Sequence, residues 1–550
     1  MALLVDLFGY LAIILHGLVI AAQSVAIGSV IFLVCLARPL AWMLGAEGTL
    51  TLRDTIRIAI TAALALAAGE ALTFGLDAAV LSSTLDLPPL DLIGAQFAQA
   101  GTIKIAAALL LAFLLATFGA QLPAPLSLLL AAILLAAGTA STHAAARIDN
   151  RELLLAVSAL HQLGAAIWIG GIPAFAAALA RADTSAAMLA IGQRFSRLSQ
   201  LGVACVLLSG ITLFWFYIGD LSATYGTAYG VMVTTKIALF AMLLALGYGN
   251  FRTIANLAND RHTPTLRLRR FAEAEIGIGL TLFFAAASLT SVPPAIDLTQ
   301  DRVTVQEILE RNTPRAPRLI SPDHDRLTLP ALQAQLDAEA AGNAAKPAPA
   351  FVPGSGDIPP RNAEDIAWSE YNHHWSGLFV VAIGLLALLH RAGFGPARHW
   401  PVVFLALAAF LFIRSDPEVW PLGQIGFFES LRDVEVLQHR FFVLLIIVFG
   451  LFEWRVRALP NPAPAATLVF PLITAIGGAA LLTHSHAIAN IKDQLLIELS
   501  HTPLALAGIA AGWARWLENR LDPPDSRIAG WVWPLCFVLV GAILLIYREA

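Results

Sequence analysis

Apolar residues in this chain run unbroken for long stretches, without the alternation of a half-buried strand. Fourteen such stretches lie near 8–36, 56–80, 101–119, 125–143, 152–179, 196–219, 231–251, 271–291, 372–391, 400–414, 438–454, 465–483, 499–516 and 528–547. Each approaches the ~20 residues that a helix needs to cross a bilayer. Lipid offers no partner to an unpaired peptide group, so a spanning segment must be a helix or part of a closed barrel. Runs this long predict an all-α polytopic membrane protein with about 14 transmembrane helices.

The polar intervals set the expected orientation. Arg38, Arg53 and Arg57 follow the first run, Arg181 and Arg194 the fifth, and Arg252, Arg261, Arg267, Arg269 and Arg270 the seventh. Arg391 and Arg398, then Arg455 and Arg457, then Arg515, Arg520 and Arg527 continue the alternation, while 81–100 and 220–230 carry no basic residue. Basic loops stay on the cytoplasmic side. The expectation is a multi-pass protein of a bacterial inner (plasma) membrane with both termini periplasmic. The first run lacks a preceding basic region, so it reads as a span and not as a cleaved signal peptide.

Composition agrees with this picture. The chain is 58% hydrophobic and 13% charged, against roughly 25% charged residues in soluble domains. A net charge of −4 gives no reason to expect a nucleic-acid partner. Cys35, Cys205 and Cys536 sit inside apolar runs without a CxxC spacing, so no disulfide framework is expected. Neither GxxxxGK[ST] nor a DKTG-like phosphorylation sequence occurs. Primary ATP-driven pumping is therefore not expected of this chain, which reads as a transporter or metal-binding protein more than as an enzyme.

The first eight runs look duplicated. Leu-His-x-Leu recurs at 15–18 and 160–163, and TIKIAAALLLAFLLA from Thr102 resembles TTKIALFAMLLALG from Thr234. His16 thus pairs with His161, and Lys104 with Lys236. The predicted organisation is a four-helix repeat over 1–145, a second over 146–295, a periplasmic connector over 296–370 containing KPAPAFVPGSGDIPPRN, and a six-helix membrane block over 371–550.

Histidines concentrate on one side of this topology. His143, His373, His374, His439, His484, His486 and His501 fall at or near outer helix ends. His16 and His161 lie about nine residues into their spans, or ~13 Å at 1.5 Å per residue. Imidazole suits copper, zinc and haem iron, and a polar ring within a bilayer is costly without a partner. The stretch LTHSHAIANIKDQLLIELSH, 482–501, holds three of them. His484 and His486 point apart on a helix but reach one ion from a turn. His501, with His439 or one of the adjacent pair His373 and His374, could complete a site. Only five methionines occur, without a ladder, which argues against a thioether-lined conduit.

LHQLGAAIWIGGIPAF, RFSRLSQLGVACVLLSGITLF, YGTAYGVMVTTKIALF and RLRRFAEAEIGIGLTLFFAAASLTSVPPA occur in that order over about 140–295. This order resembles the copper resistance D (CopD) family of bacterial inner-membrane proteins. The resemblance implies copper handling between periplasm and cytoplasm, marks His143 and His161 as matching the family's histidine positions, and suggests a periplasmic copper chaperone as donor. It does not extend to the C-terminal block, which resembles an extension of some longer members. A His in the first helix and a Lys in the third is also similar to the HemJ kind of protoporphyrinogen oxidase. That likeness implies haem b, with His16 or His161 as axial ligand and Lys104 and Lys236 pairing with propionates. The remaining alternative is a structural subunit of a respiratory or copper-assembly membrane complex, or of a homo-oligomer.

Overall fold

A computed structural model describes residues 8–85, 96–298, 302–322, 363–483 and 492–549, with residues 94, 300 and 336 singly. The candidate ligands His484 and His486 lie outside the described residues. Among the described residues the regular structure is entirely helical, apart from one isolated bridge between Val419 and Ile425. Among the described residues eleven helices are long and apolar enough to cross a membrane, and three shorter apolar ones run Ala124–Ala140, Val402–Arg414 and Ala466–Leu482. Each falls on one of the fourteen apolar runs. The protein is an all-α polytopic membrane protein.

Two compact units divide the chain, one Phe8–Arg302 and the other Val303–Ala550. In the first, α1 (Phe8–Phe32) continues through a π-helical turn, Leu33–Ala37, into α2 (Arg38–Leu44). It is followed by α3 (Ala46–Leu85), α4 (Gln96–Phe118), α5 (Ala124–Ala140) and the short α6 (His143–Ala146). The fifth apolar run, read as one span, is two helices, α7 (Arg151–Trp168) and α8 (Ile172–Arg181). The break falls at Gly170-Gly171, and Pro173 in the first turn of α8 supplies the fixed φ that favours a helix start. Then come α9 (Ser185–Tyr217), α10 (Ala228–Asn259) and α11 (Leu266–Thr290). Thr184 and Thr227 cap α9 and α10 by accepting from Ala187 N at 3.1 Å and Gly230 N at 3.0 Å, which satisfies donors that a helix leaves orphaned.

Helix α1 is central to this unit, packing against α3, α5, α7 and α11. Its crossing with α7 needs bare backbone. A Cβ at Gly28 would fall 2.2 Å from the Ala166 carbonyl oxygen, and one at Gly170 2.0 Å from that of Ser24. Small residues allow such an approach where no hydrophobic force draws helices together in lipid. At the end where α6 lies, Arg147 forks onto Asp297 at 3.0 and 2.8 Å. Arg302 reaches Asp220 at 2.8 Å. The Ser222 hydroxyl, and then Arg302, hold the Asp220 carboxyl down at about 2.

The second unit contains α12 (Val305–Asn312), α13 (Ala363–Arg391), α14 (Val402–Arg414), α15 (Val434–Ala458), α16 (Val469–Thr483), α17 (Lys492–Arg520) and α18 (Asp525–Leu545). Thr304 and Glu307 form a capping box on α12. Helix α18 packs along α13 and α17, α16 along α17, and α14 along α15. Trp400, Phe404, Phe470 and Trp533 form its buried aromatic centre.

Candidate functional site

The first unit brings its histidines and lysines together half by half. His16 on α1 lies within electrostatic reach of Lys104 on α4 and of His143 at the start of α6. His143 lies beside the backbone of Leu289, and burial, above all, holds its imidazole below the usual range. Its Nε2 is buried without a hydrogen-bond partner. A neutral ring with an open nitrogen is the form that ligates metals.

The second half repeats the pairing with different neighbours. His161 on α7 lies within reach of the Lys236 charge on α10. Its Nδ1 is 3.0 Å from Ser209 Oγ. That hydroxyl donates to Cys205 O at 2.6 Å, so it accepts from the ring, placing the proton on Nδ1 and the lone pair on Nε2. Ser209 was not singled out in the sequence, because a serine inside an apolar run usually bonds only its own helix.

Two charges differ from expectation. Lys104 is in contact with Glu70 of α3, and the two side chains are 6% and 8% exposed. Its ammonium is therefore matched by a carboxylate and has no charge left over for a propionate. Lys236 has no carboxylate partner among the described residues. Glu273 and Glu275 both lie near the start of α11, but only Glu273 pairs with Arg270. Glu275 turns inward, is 3% exposed, and accepts from Asn250 Nδ2 at 3.0 Å.

His16 and His161 are equally deep by residue count but not in space. Gln23 Nε2 meets Gln162 Oε1 at 3.2 Å, and Gly28 crosses α7 beside Gly170, so His161 is level with about residues 19–22 of α1, a few residues beyond His16. At 1.5 Å per residue that is a stagger of roughly 4–9 Å. A Cβ at Gly247 would lie 3.2 Å from Glu275 Oε1 and 3.9 Å from the Trp168 ring. Trp168 is seven residues past His161, roughly another 10 Å along α7. His143, His16, His161 and Glu275 thus descend through the unit.

The second unit treats its histidines differently. His374 accepts from Arg318 N at 2.7 Å through Nδ1 and donates to Tyr547 O at 2.8 Å through Nε2. Both of its ring nitrogens are thus engaged within the protein. His439 pairs with the buried Asp416 at 2.6 Å. His373 and His501 do meet, their rings 5.9 Å apart edge to face, with His373 stacked on Tyr547 at 3.9 Å. Each donates Nδ1–H to a carbonyl of its own helix, Ser369 O and Ile497 O, at 2.8 Å. Among the described residues no three of His, Cys, Asp and Glu converge closely enough to hold a metal ion.

Comparison with known proteins bears on the first unit. Residues 189–289 match the family model described as copper resistance protein D. Over 158 residues the chain is 30% identical to a protein of Bacillus subtilis (strain 168) described as copper transport protein CutJ. That match covers 28% of this chain and 28% of the relative. No solved structure matches the chain.

Proposed function

Taking as premise that the chain is a copper resistance D family protein over residues 189–289, we propose that it moves copper across the membrane through the first unit. Copper is the cargo. It is caught at the rim by His143, passes to His16 and His161, and leaves past Glu275 toward the face bearing the arginine-rich loops. The observation that carries this reading is the staggered descent of those four side chains, with His161 holding an open Nε2 between the upper pair and the buried carboxylate. A conduit needs sites attractive enough to enter and weak enough to leave. Successive one- or two-ligand stations suit that need better than a closed three-ligand cage.

Inward direction and a periplasmic location for the histidine rim rest on the distribution of arginine. Reporter fusions after residues 261, 340 and 457 should read inside, outside and inside. A periplasmic carrier protein would deliver to the His143 end, where Arg147 and Asp297 also lie. Haem as the ligand gains little from this arrangement, because Lys104 is neutralised by Glu70.

The test is copper flux into proteoliposomes, with metal and haem measured per chain. Wild-type protein should carry copper without a Soret band, and His161→Ala should lose flux while remaining folded. Lys236→Ala should keep or strengthen copper binding, since it removes a cation beside the path. Haem in the wild type, lost in both variants, would replace this reading with a redox one. Unaltered flux in His161→Ala would end both.

A further inference from the structure

At the opposite end of the second unit from His373, five span ends meet around a cavity of about 480 Å³. The C-termini of α13, α15 and α17 contribute Arg391, Arg457 and Arg515, the start of α18 contributes Arg527, and Trp400 precedes α14. Three guanidiniums lie over indole rings: Arg457 over Trp400 at 4.6 Å, Arg515 over Trp533 at 5.3 Å and Arg391 over Trp531 at 5.5 Å. Stacking fixes the planes of these side chains and leaves their N–H edges to find partners.

The partners are incomplete. Glu518 takes Arg391 and Arg515, together with Trp533 Nε1 at 2.7 Å. Glu453 takes Arg457 at 2.7 Å. Four guanidiniums therefore face two carboxylates. Four buried donors on lining residues have no hydrogen-bond partner: Arg391 Nε, Arg457 Nη2, Arg515 Nε and Trp400 Nε1. A buried donor without an acceptor is costly, more so on a charged group, and several around one cavity call for an acceptor placed between them.

We propose that this cavity binds a phosphate-bearing anion. A tetrahedral oxyanion offers oxygens in several directions to donors arriving from separate helix ends, and arginine is the residue best matched to phosphate. A net excess of two positive charges suits a phosphate mono- or diester. A bare phosphate leaves most of 480 Å³ unfilled, and the indole walls suit an organic portion. Trp531, 45% exposed, opens the site sideways at the level of span ends, where lipid headgroups lie. The ester could come from a phospholipid headgroup or from a free phosphate compound, and both present the same group.

The experiment uses full-length, delipidated protein in neutral detergent. Binding of phosphatidylglycerol, diacylglycerol and inorganic phosphate is followed by tryptophan fluorescence and native mass spectrometry. Phosphatidylglycerol binding without diacylglycerol binding assigns a lipid headgroup, and saturable inorganic phosphate binding assigns a free source. In either case Arg515→Gln should weaken binding about tenfold or more. Arg527→Gln, at an exposed position, should weaken it in the same direction and serves if Arg515→Gln does not fold. Failure of both phosphate ligands to bind, equal binding of diacylglycerol, or wild-type affinity in a folded variant would overturn the proposal.

Discussion

Replacing Glu70 by Gln would leave the Lys104 ammonium buried and unmatched while changing almost no volume. The contact joins α3 to α4, and both side chains are less than a tenth exposed. Removing one partner of such a pair costs about 3–5 kcal/mol, because the survivor remains desolvated, whereas replacing both by apolar groups is often close to neutral. At roughly 2–4 °C per kcal/mol for a unit of this size, the single variant should unfold about 6–20 °C lower. Glu70→Gln/Lys104→Met should recover at least half of that loss, giving a coupling of about 2 kcal/mol or more. Thermal unfolding in detergent, followed by tryptophan fluorescence, measures all four corners of the cycle. There is a second readout at His16, which lies within reach of the same ammonium. Two unit charges roughly 6 Å apart at an effective dielectric constant of ~20 repel by about 3 kcal/mol. An unmatched Lys104 should therefore weaken copper binding at His16 by around a hundredfold, and the double variant should restore it. Equal destabilisation of the single and double variants, or copper affinity unmoved by Glu70→Gln, would refute the reasoning.

Burial holds the His143 imidazole below its usual range, so it stays neutral, and able to bind, at pH values where an ordinary histidine is protonated. Copper per chain should accordingly fall less between pH 7 and pH 5.5 than an unperturbed imidazole would give, and His143→Ala should remove that residual acid-stable fraction. The same shift makes the unfolded chain the stronger proton acceptor, so this residue's contribution to stability is fully present above about 6.5 and declines as pH drops below it. His374→Ala removes the hydrogen bonds that its ring makes with Arg318 N and Tyr547 O. It should cost about 2–4 kcal/mol and speed proteolysis near Tyr547, with copper per chain unchanged; loss of copper at normal stability would mark His374 as a ligand. Gly28→Ala drives a methyl into the Ala166 carbonyl, so it should separate α1 from α7 and reduce copper passage more than Gly75→Ala, whose Cβ meets nothing within 4 Å.

The spans were legible because lipid permits few alternatives to a helix, and every apolar run became helical. The break in the fifth was signalled by GGIP, but a Gly pair inside an apolar run does not by itself say that two helices part there. The proximity of His16 to Lys104, and of His161 to Lys236, is what the suspected repetition led one to expect, since like positions in like helices would meet like neighbours. What repetition concealed was the difference between the halves. Glu70 lies inside the second apolar run, but depth along a helix says nothing of azimuth, and only packing of α3 on α4 turns it toward Lys104. Likewise, equal residue counts suggested equal depth for His16 and His161, whereas the register is set by Gly28 and Gly170, whose role appears only when α1 and α7 are crossed. Beside His161 the corresponding space is lined by Gly210, whose Cβ would come within 3.9 Å of the ring, and no carboxylate answers Lys236 among the described residues. On the proposed route a cation leaves a neutralised surrounding at His16 and enters one with an uncompensated ammonium at His161. The deeper station is then the less favourable of the two, and the next acidic group on the way, Glu275, is what would draw the ion past it.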